Sequence, residues 1–355
     1  MYNYDIKIKE AYLERITSQE DLKFIALNEE NVDIRLKAIE KLIDQTILRE
    51  VALNDKDETV RCEAIRRLTD VELKKAIALN DENCKIRRQA VIGITDEETL
   101  KTIALKDKDP LVRLIAVNGV TDEETLKSIA LNDKSDGVIR QAIYKINDQD
   151  ILKNIALYAV NCFVRKQAVE KITVEDTLIA IALGDEDGDV RSRAVSKIAD
   201  EGILQHIALN DKEANVRQEA VIKITDEVFL ENVALRDLSD DVRREAIRKI
   251  KSKAILKKIA LSDLSMYARR EAVDKITAKK LLIKIASNNY ETFYVRIGAV
   301  EKIKDEEVLF EIATKCKDED LLVEIIARLS KDKIRELKTD NWYIKAICKD
   351  ILENQ

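Results

Sequence analysis

The chain is poor in the residues that break or bend regular structure. Its 355 residues include 1 proline and 7 glycines, and aromatics make up only 4%. That scarcity points to a helical protein with a core of Ala, Ile, Leu and Val. There is one histidine, His206, too few for a multi-histidine metal site. The five cysteines, Cys62, Cys84, Cys162, Cys316 and Cys348, form no CxxC pair and offer no zinc cluster. No apolar run reaches the roughly 18 residues that a membrane helix needs. The first ten residues, MYNYDIKIKE, lack the apolar run of a signal peptide, so a cytoplasmic protein with reduced thiols is expected. Excess basic charge is missing as well: the net charge of −6 argues against general nucleic-acid binding. Neither a GxSxG motif nor a phosphate-binding glycine loop occurs.

What the chain does have is period. Alanine recurs every 26 residues from Ala26 through Ala52, Ala78 and Ala104 to Ala286, and a second series runs from Ala38 through Ala64 and Ala90 to Ala272. Two interleaved ladders of small residues at one spacing define a repeat array. Apolar residues are 46% of the chain and charged residues 37%, ample for a folded core.

One unit covers residues 55–80. Val60, Ala64 and Leu68 lie at i, i+4 and i+8 with Ile65 beside them, which predicts a first helix, helix A. Thr69 and Asp70 suit an N-cap, and Leu73, Ile77 and Ala78 mark a shorter helix B that ends at Asn80 and Asp81. Thr95 to Glu98 and Thr121 to Glu124 each match a capping box. Helix B is too short to persist alone, so stacking on neighbouring repeats must hold it. A third ladder is arginine, at Arg35, Arg61, Arg87, Arg113, Arg165, Arg191, Arg217, Arg243 and Arg269; repeat 5 has Ile139 there instead. Each falls on the buried side of the first turn of helix A, where a cation opposes the helix dipole and needs an acid. The preceding turns offer candidates, such as Asp55 and Asp57, so an inter-repeat Arg–Asp ladder is expected, with a phosphate-binding row as the alternative.

The pattern D-x-x-V-R-x-x-A-(V/I)-x-x-(I/L), read from Asp57 to Leu68 and again, with Glu leading, from Glu213 to Ile224, resembles HEAT-like repeats of the short phycobilisome-lyase type. The segment L-x-x-I-A-L-x-D-x-D is similar to leucine-rich repeat variants. The resemblance spans roughly residues 20–315. It implies an all-α fold, a right-handed α-solenoid of about eleven to thirteen helix-turn-helix repeats, with helix A outside and helix B lining the concave face.

The expected organisation is a single solenoid over 1–355: an N-terminal cap at 1–28, regular repeats at 29–313, and degenerate repeats and a cap at 314–355. Tyr12 replaces the ladder alanine in the first cap. The last cap carries the only tryptophan, Trp342, expected to seal the final layer.

Departures from the repeat are where function should show. The turn Tyr158 to Phe163 is apolar where its equivalents are polar, as a packed turn or a partner contact. The turns of repeats 9–11 bring Leu238, then Leu264, Met266 and Tyr267, then Tyr290, Phe293 and Tyr294, a candidate docking strip. Ile92, Leu114 and Ile115 replace charged residues, and Gly93 and Gly119 replace the usual Lys or Arg, which marks a possible self-association patch. A basic row on helix B, Lys23, Arg49, Lys75, Lys101, Lys127 and Lys153, has acids three residues before most members, so a self-neutralised surface is expected.

The sequence therefore favours a non-catalytic scaffold, needing no cofactor or metal, that binds a protein or peptide in the groove or along the aromatic edge. The alternatives are a nucleic-acid-binding HEAT-like protein using the helix-B row, and a bilin-lyase-like or chaperone-type accessory. Iron-dependent HEAT hydroxylases need several His–Glu pairs, which one histidine cannot supply.

Overall fold

The computed structural model describes residues 13–354. Among the described residues every regular element is a helix and there is no strand. The chain divides into two compact units, one up to Thr173 and one from Val174 on. The 26-residue sequence period crosses that boundary without slipping, from Ala156 to Ala182 and from Ala168 to Ala194.

Both units repeat one plan. Helix A, for example Glu58–Arg67, and helix B, Val71–Asn80, each run 10 residues. Val60, Ala64, Ile65, Ile77 and Ala78 are buried, and the alanines of both ladders have essentially no exposure. A methyl group at these positions lets helix axes approach closely.

Short helices depend on their ends, and three ladders bind the ends from repeat to repeat. In the first, Arg113 forks onto Asp133, Nε to Oδ2 at 2.6 Å and Nη2 to Oδ1 at 2.8 Å. Its Nη1 donates to the Asp107 carbonyl at 2.8 Å. The same fork joins Arg35 to Asp55, Arg87 to Asp107, Arg191 to Asp211, Arg217 to Asp237 and Arg243 to Asp263. The carboxylate comes from the turn that follows, 20 residues downstream. The preceding turn, expected to supply the acid, gives backbone carbonyls. An arginine in the first turn of helix A lies between two successive turns and clamps both. Arg61 pairs with Asp81, and Arg269 reaches Glu291, 22 residues on, where the register slips.

The second ladder is lysine at the end of helix A. Lys145 donates to the Val117 and Asn118 carbonyls of the preceding helix A at 3.1 and 2.6 Å, and Lys223 does the same to Val195 and Ser196 at 3.4 and 2.7 Å. This satisfies carbonyls left free at a helix C-terminus.

The third ladder lies at the start of helix B. Glu97 Oε1 accepts from the amides of Thr121 and Asp122, one repeat on, at 2.8 and 2.9 Å. Gln45, Glu123, Gln149, Glu175, Glu201 and Glu227 act in the same way. The capping boxes are not formed as expected. The N-cap is Asp96, not Thr95, and it accepts from the Thr99 amide; Asp122 does likewise with Thr125. The Asp at the second position caps, and the glutamate after it is left to reach the next repeat.

Within each unit, successive A helices pack along one another extensively, whereas successive B helices touch only sparsely. Helix A is thus the more closely packed layer of each unit.

At the ends, Ile16, Leu22 and Ala26 are buried, and Tyr12 lies outside the described residues. Trp342 does not seal the last layer: it is 79% exposed, and Ile344 is buried instead. An indole at the first position of the helix Trp342–Asn354 lies off the inward face, which Ile344 takes two residues later.

Candidate functional site

Each expected site residue falls into one of three local settings. The first is a cation–π device used repeatedly. An arginine on helix A covers an aromatic ring at the start of the next helix A: Arg140 over Phe163 at 5.9 Å, Arg244 over Tyr267 at 5.7 Å, and Arg270 over Tyr294 at 5.3 Å. Tyr267 and Tyr294 also meet edge to face, with centroids 5.7 Å apart. Arg270 is fixed by Asp274 at 2.9 Å and Glu301 at 2.6 Å. A Cβ on Gly298 would come within 2.5 Å of the Arg270 Nε, so that glycine leaves the guanidinium its place. Phe163, Tyr267 and Tyr294 are therefore partly committed to holding repeats together.

The second setting is the turn tip between helix B and the next helix A. Val160, Leu238, Leu264 and Tyr290 share one repeat phase, which other repeats fill with Lys or Glu such as Lys56 and Glu82. All four project into solvent, at 97%, 96%, 98% and 101% exposure. Tyr158 beside Val160 is exposed as well, while Ala159 is buried. The apolar turn is thus divided, one side chain packed and its neighbours presented. In the second unit, Leu238, Leu264 and Tyr290 occupy successive tips, with Met266 half-buried and Phe293 at the edge of exposure.

The third setting is the glycine-marked patch. Ile92 is exposed, and Leu114 and Ile115 are half-buried. The close approach at Gly119 is internal: a Cβ there would lie 2.4 Å from Leu100 Cδ1. Gly93 has φ +90°, the only positive φ among the described residues, and ends the shortened helix Cys84–Val91. Nearby, Lys74 occupies a phase that is Leu in every other regular repeat, from Leu22 and Leu48 to Leu256 and Leu282. Burial pushes its ammonium pKa down.

Four members of the basic row on helix B, Arg49, Lys75, Lys101 and Lys127, are paired with acids. Lys75 meets Glu72 at 3.0 Å and Asp96 at 3.5 Å, Lys101 meets Glu98 at 3.1 Å and Asp122 at 3.6 Å, and Arg49 meets Asp70 at 3.6 Å. The hydrogen bond that Lys101 donates to Glu98 raises its pKa against a smaller opposing effect of burial, and the charges of Asp122 and Glu98 add to the rise. Among the described residues no group of His, Cys, Asp and Glu could hold a metal ion, and no helix is long and apolar enough to cross a membrane.

No known protein family matches the chain, and no curated protein does. Among solved structures, the karyopherin Kap121p bound to the SUMO protease Ulp1p aligns with a TM-score of 0.44 and 13% identity, over 95% of this chain and 49% of that one. Kap121p by itself gives a TM-score of 0.43 and 13% identity, over 99% and 46%. The E. coli protein YibA gives a TM-score of 0.23 and 19% identity, over 85% and 98%. The chain spans about half the length of the karyopherin chains it is similar to.

Proposed function

We propose that the chain is a binding scaffold for a protein or peptide, and that its docking surface is the edge formed by Leu238, Leu264 and Tyr290 with the half-buried ring pair Tyr267 and Tyr294. One observation carries this reading: three large apolar side chains at successive turn tips are almost wholly exposed, where other repeats place Lys or Glu. Nothing in the packing of the repeat requires them, and exposed aromatic and aliphatic groups are what interface cores are made of. Reading residues 1–355 as one array, with caps at 1–28 and 314–355, belongs to the same proposal and is supported by the period, which holds from Ala26 to Ala286. A cytoplasmic location suits the unpaired cysteines. The double variant Tyr290→Ala, Phe293→Ala should melt like the wild type and recover less of a co-purifying partner. Equal recovery by the two proteins would sink the docking edge.

A further inference from the structure

The start of helix B carries an Asp cap in most repeats with an acid in the turn after it, as at Asp96 to Glu98 and Asp122 to Glu124; Gln45 and Thr46 follow Asp44, and Val174 replaces the cap before Glu175 and Asp176. In repeats 9 and 10 the sign reverses. Ser252 and Lys253 stand for Asp and Glu, then Ala278, Lys279 and Lys280 for Asp, Glu and Glu. Neither the helix Lys253–Ser262 nor the helix Lys279–Ala286 has a side-chain cap or an acid in its first turn. Losing an Asp cap costs about 1 kcal/mol, and a cation at a helix N-terminus is unfavourable. Apart from the Lys279–Asp305 ion pair, folding gains nothing visible from this double reversal, and a rule broken without structural gain marks function.

Between these two B helices lies a groove of about 750 Å³, within the range of roughly 300–1,000 Å³ typical of ligand sites. Six lysines and no carboxylate line it. Lys275 is used by the fold, donating to the Arg248 carbonyl. Lys251, Lys253, Lys257, Lys280 and Lys284 have no carboxylate within salt-bridge distance among the described residues, while Lys279, outside the groove lining, is paired with Asp305 at 2.7 Å. Lys253 and Lys257 are one turn apart on one wall, and Lys280 and Lys284 one turn apart on the other. The floor is apolar, formed by Leu256, Ile276 and Leu281. Lys253 has also removed the glutamate that would accept from the Thr277 amide, as Glu201 accepts from Thr225 and Glu227 from Lys251.

We propose that this groove binds an acidic peptide segment, with carboxylates set against the two lysine walls and an apolar side chain on the floor. The lining favours a peptide over nucleic acid. It holds no aromatic ring on which a base could stack and no arginine fork for a phosphate. Lysines spaced by helical turns suit separate carboxylates along a chain, and the apolar floor suits a side chain between them. The groove lies at the A-to-B loops, the opposite end of the helix pairs from the turn tips, so it does not depend on the docking edge.

The test is fluorescence anisotropy of the full chain with a labelled Glu/Leu dodecapeptide, its Gln/Leu counterpart, and an oligouridine of equal length. The variant is Ser252→Asp, Lys253→Glu, Ala278→Asp, Lys280→Glu, which restores the pattern of the other repeats. It should keep or raise the melting temperature, because both caps return, yet bind the Glu/Leu peptide more than about tenfold more weakly. Wild-type binding should weaken as salt rises. Equal affinity of variant and wild type, equal binding of the Gln/Leu peptide, tighter binding of the RNA, no saturable binding by the wild type, or displacement by inorganic phosphate where chloride has no effect would each overturn the proposal.

Discussion

Arg113 holds Asp133 through two parallel hydrogen bonds of 2.6 and 2.8 Å, with both side chains largely buried. In repeat 5 the same two positions are Ile139 and Ala159, both buried. The array thus contains its own comparison between a charged rung and an apolar one. Removing one member of a buried pair strands the other. Asp133→Ala should cost about 3–5 kcal/mol. The double change Arg113→Ile, Asp133→Ala, which copies repeat 5, should cost only about 1–2 kcal/mol. Chemical denaturation of the single and double variants measures the difference.

Acid should loosen the charged rungs. Burial by itself would raise the pKa of Asp133, but the Arg113 fork and the Ser135 and Lys134 amides outweigh it and the net direction is down. Asp211 behaves alike with Arg191, and Glu291 with Arg269. A carboxylate whose pKa is lowered by folding adds stability that is complete above its unfolded value, near 4, and is lost as pH falls through the lower folded value. The melting temperature should hold from neutrality to about pH 5 and then fall steeply below about pH 4. A flat profile down to pH 3 would contradict this account.

Gly119→Ala should destabilise by about 1–2 kcal/mol, because the new methyl would overlap the buried Leu100 side chain. Adding Leu100→Val should return part of the loss, which a double-mutant cycle would show. If Gly119 instead serves contact with a second copy, the variant would melt like the wild type.

Lys74→Leu should raise stability by about 1–2 kcal/mol, since it completes a row of buried leucines. The pKa of Lys74 is lowered from its ordinary 10.5 by burial. A lysine so lowered weakens the fold while it remains charged, and the penalty disappears as pH rises past the unfolded value. The gain from leucine should therefore be largest near neutrality and shrink toward about pH 10.

Much of the architecture could be read from the sequence, because Ala38, Ala64 and Ala90 and their partners are forced by helix contact and so recur at every step. The N-cap aspartates were visible too, one residue from where the capping box placed them. The glutamate ladder of Glu97, Glu123 and Glu201 was not visible, because an acid early in a helix already has a local reason to be there. The tighter packing of the A helices is not legible, because spacing along the chain does not say which helix packs more closely. Of the candidate site, Leu264 and Tyr290 stood out as apolar residues in polar turns, but Phe163 and Tyr267 look the same in sequence and turn out to lie under arginines. The lysine groove has only a partial signal in the sequence: Lys253 stands where Glu97, Glu123, Glu175, Glu201 and Glu227 stand in other repeats, and Lys280 where Glu72, Glu98 and Glu124 do, but both positions vary elsewhere.

Within each unit neighbouring B helices touch only sparsely, while the tight A layer and its rungs carry cohesion. Residues at the start of a B helix can therefore change sign, as at Lys253 and Lys280, without disturbing Ala246, Ala260 or the arginine forks beside them. Such a molecule works like a strip of separately editable slots, in which one slot can acquire a new ligand preference while the rest of the strip keeps its shape.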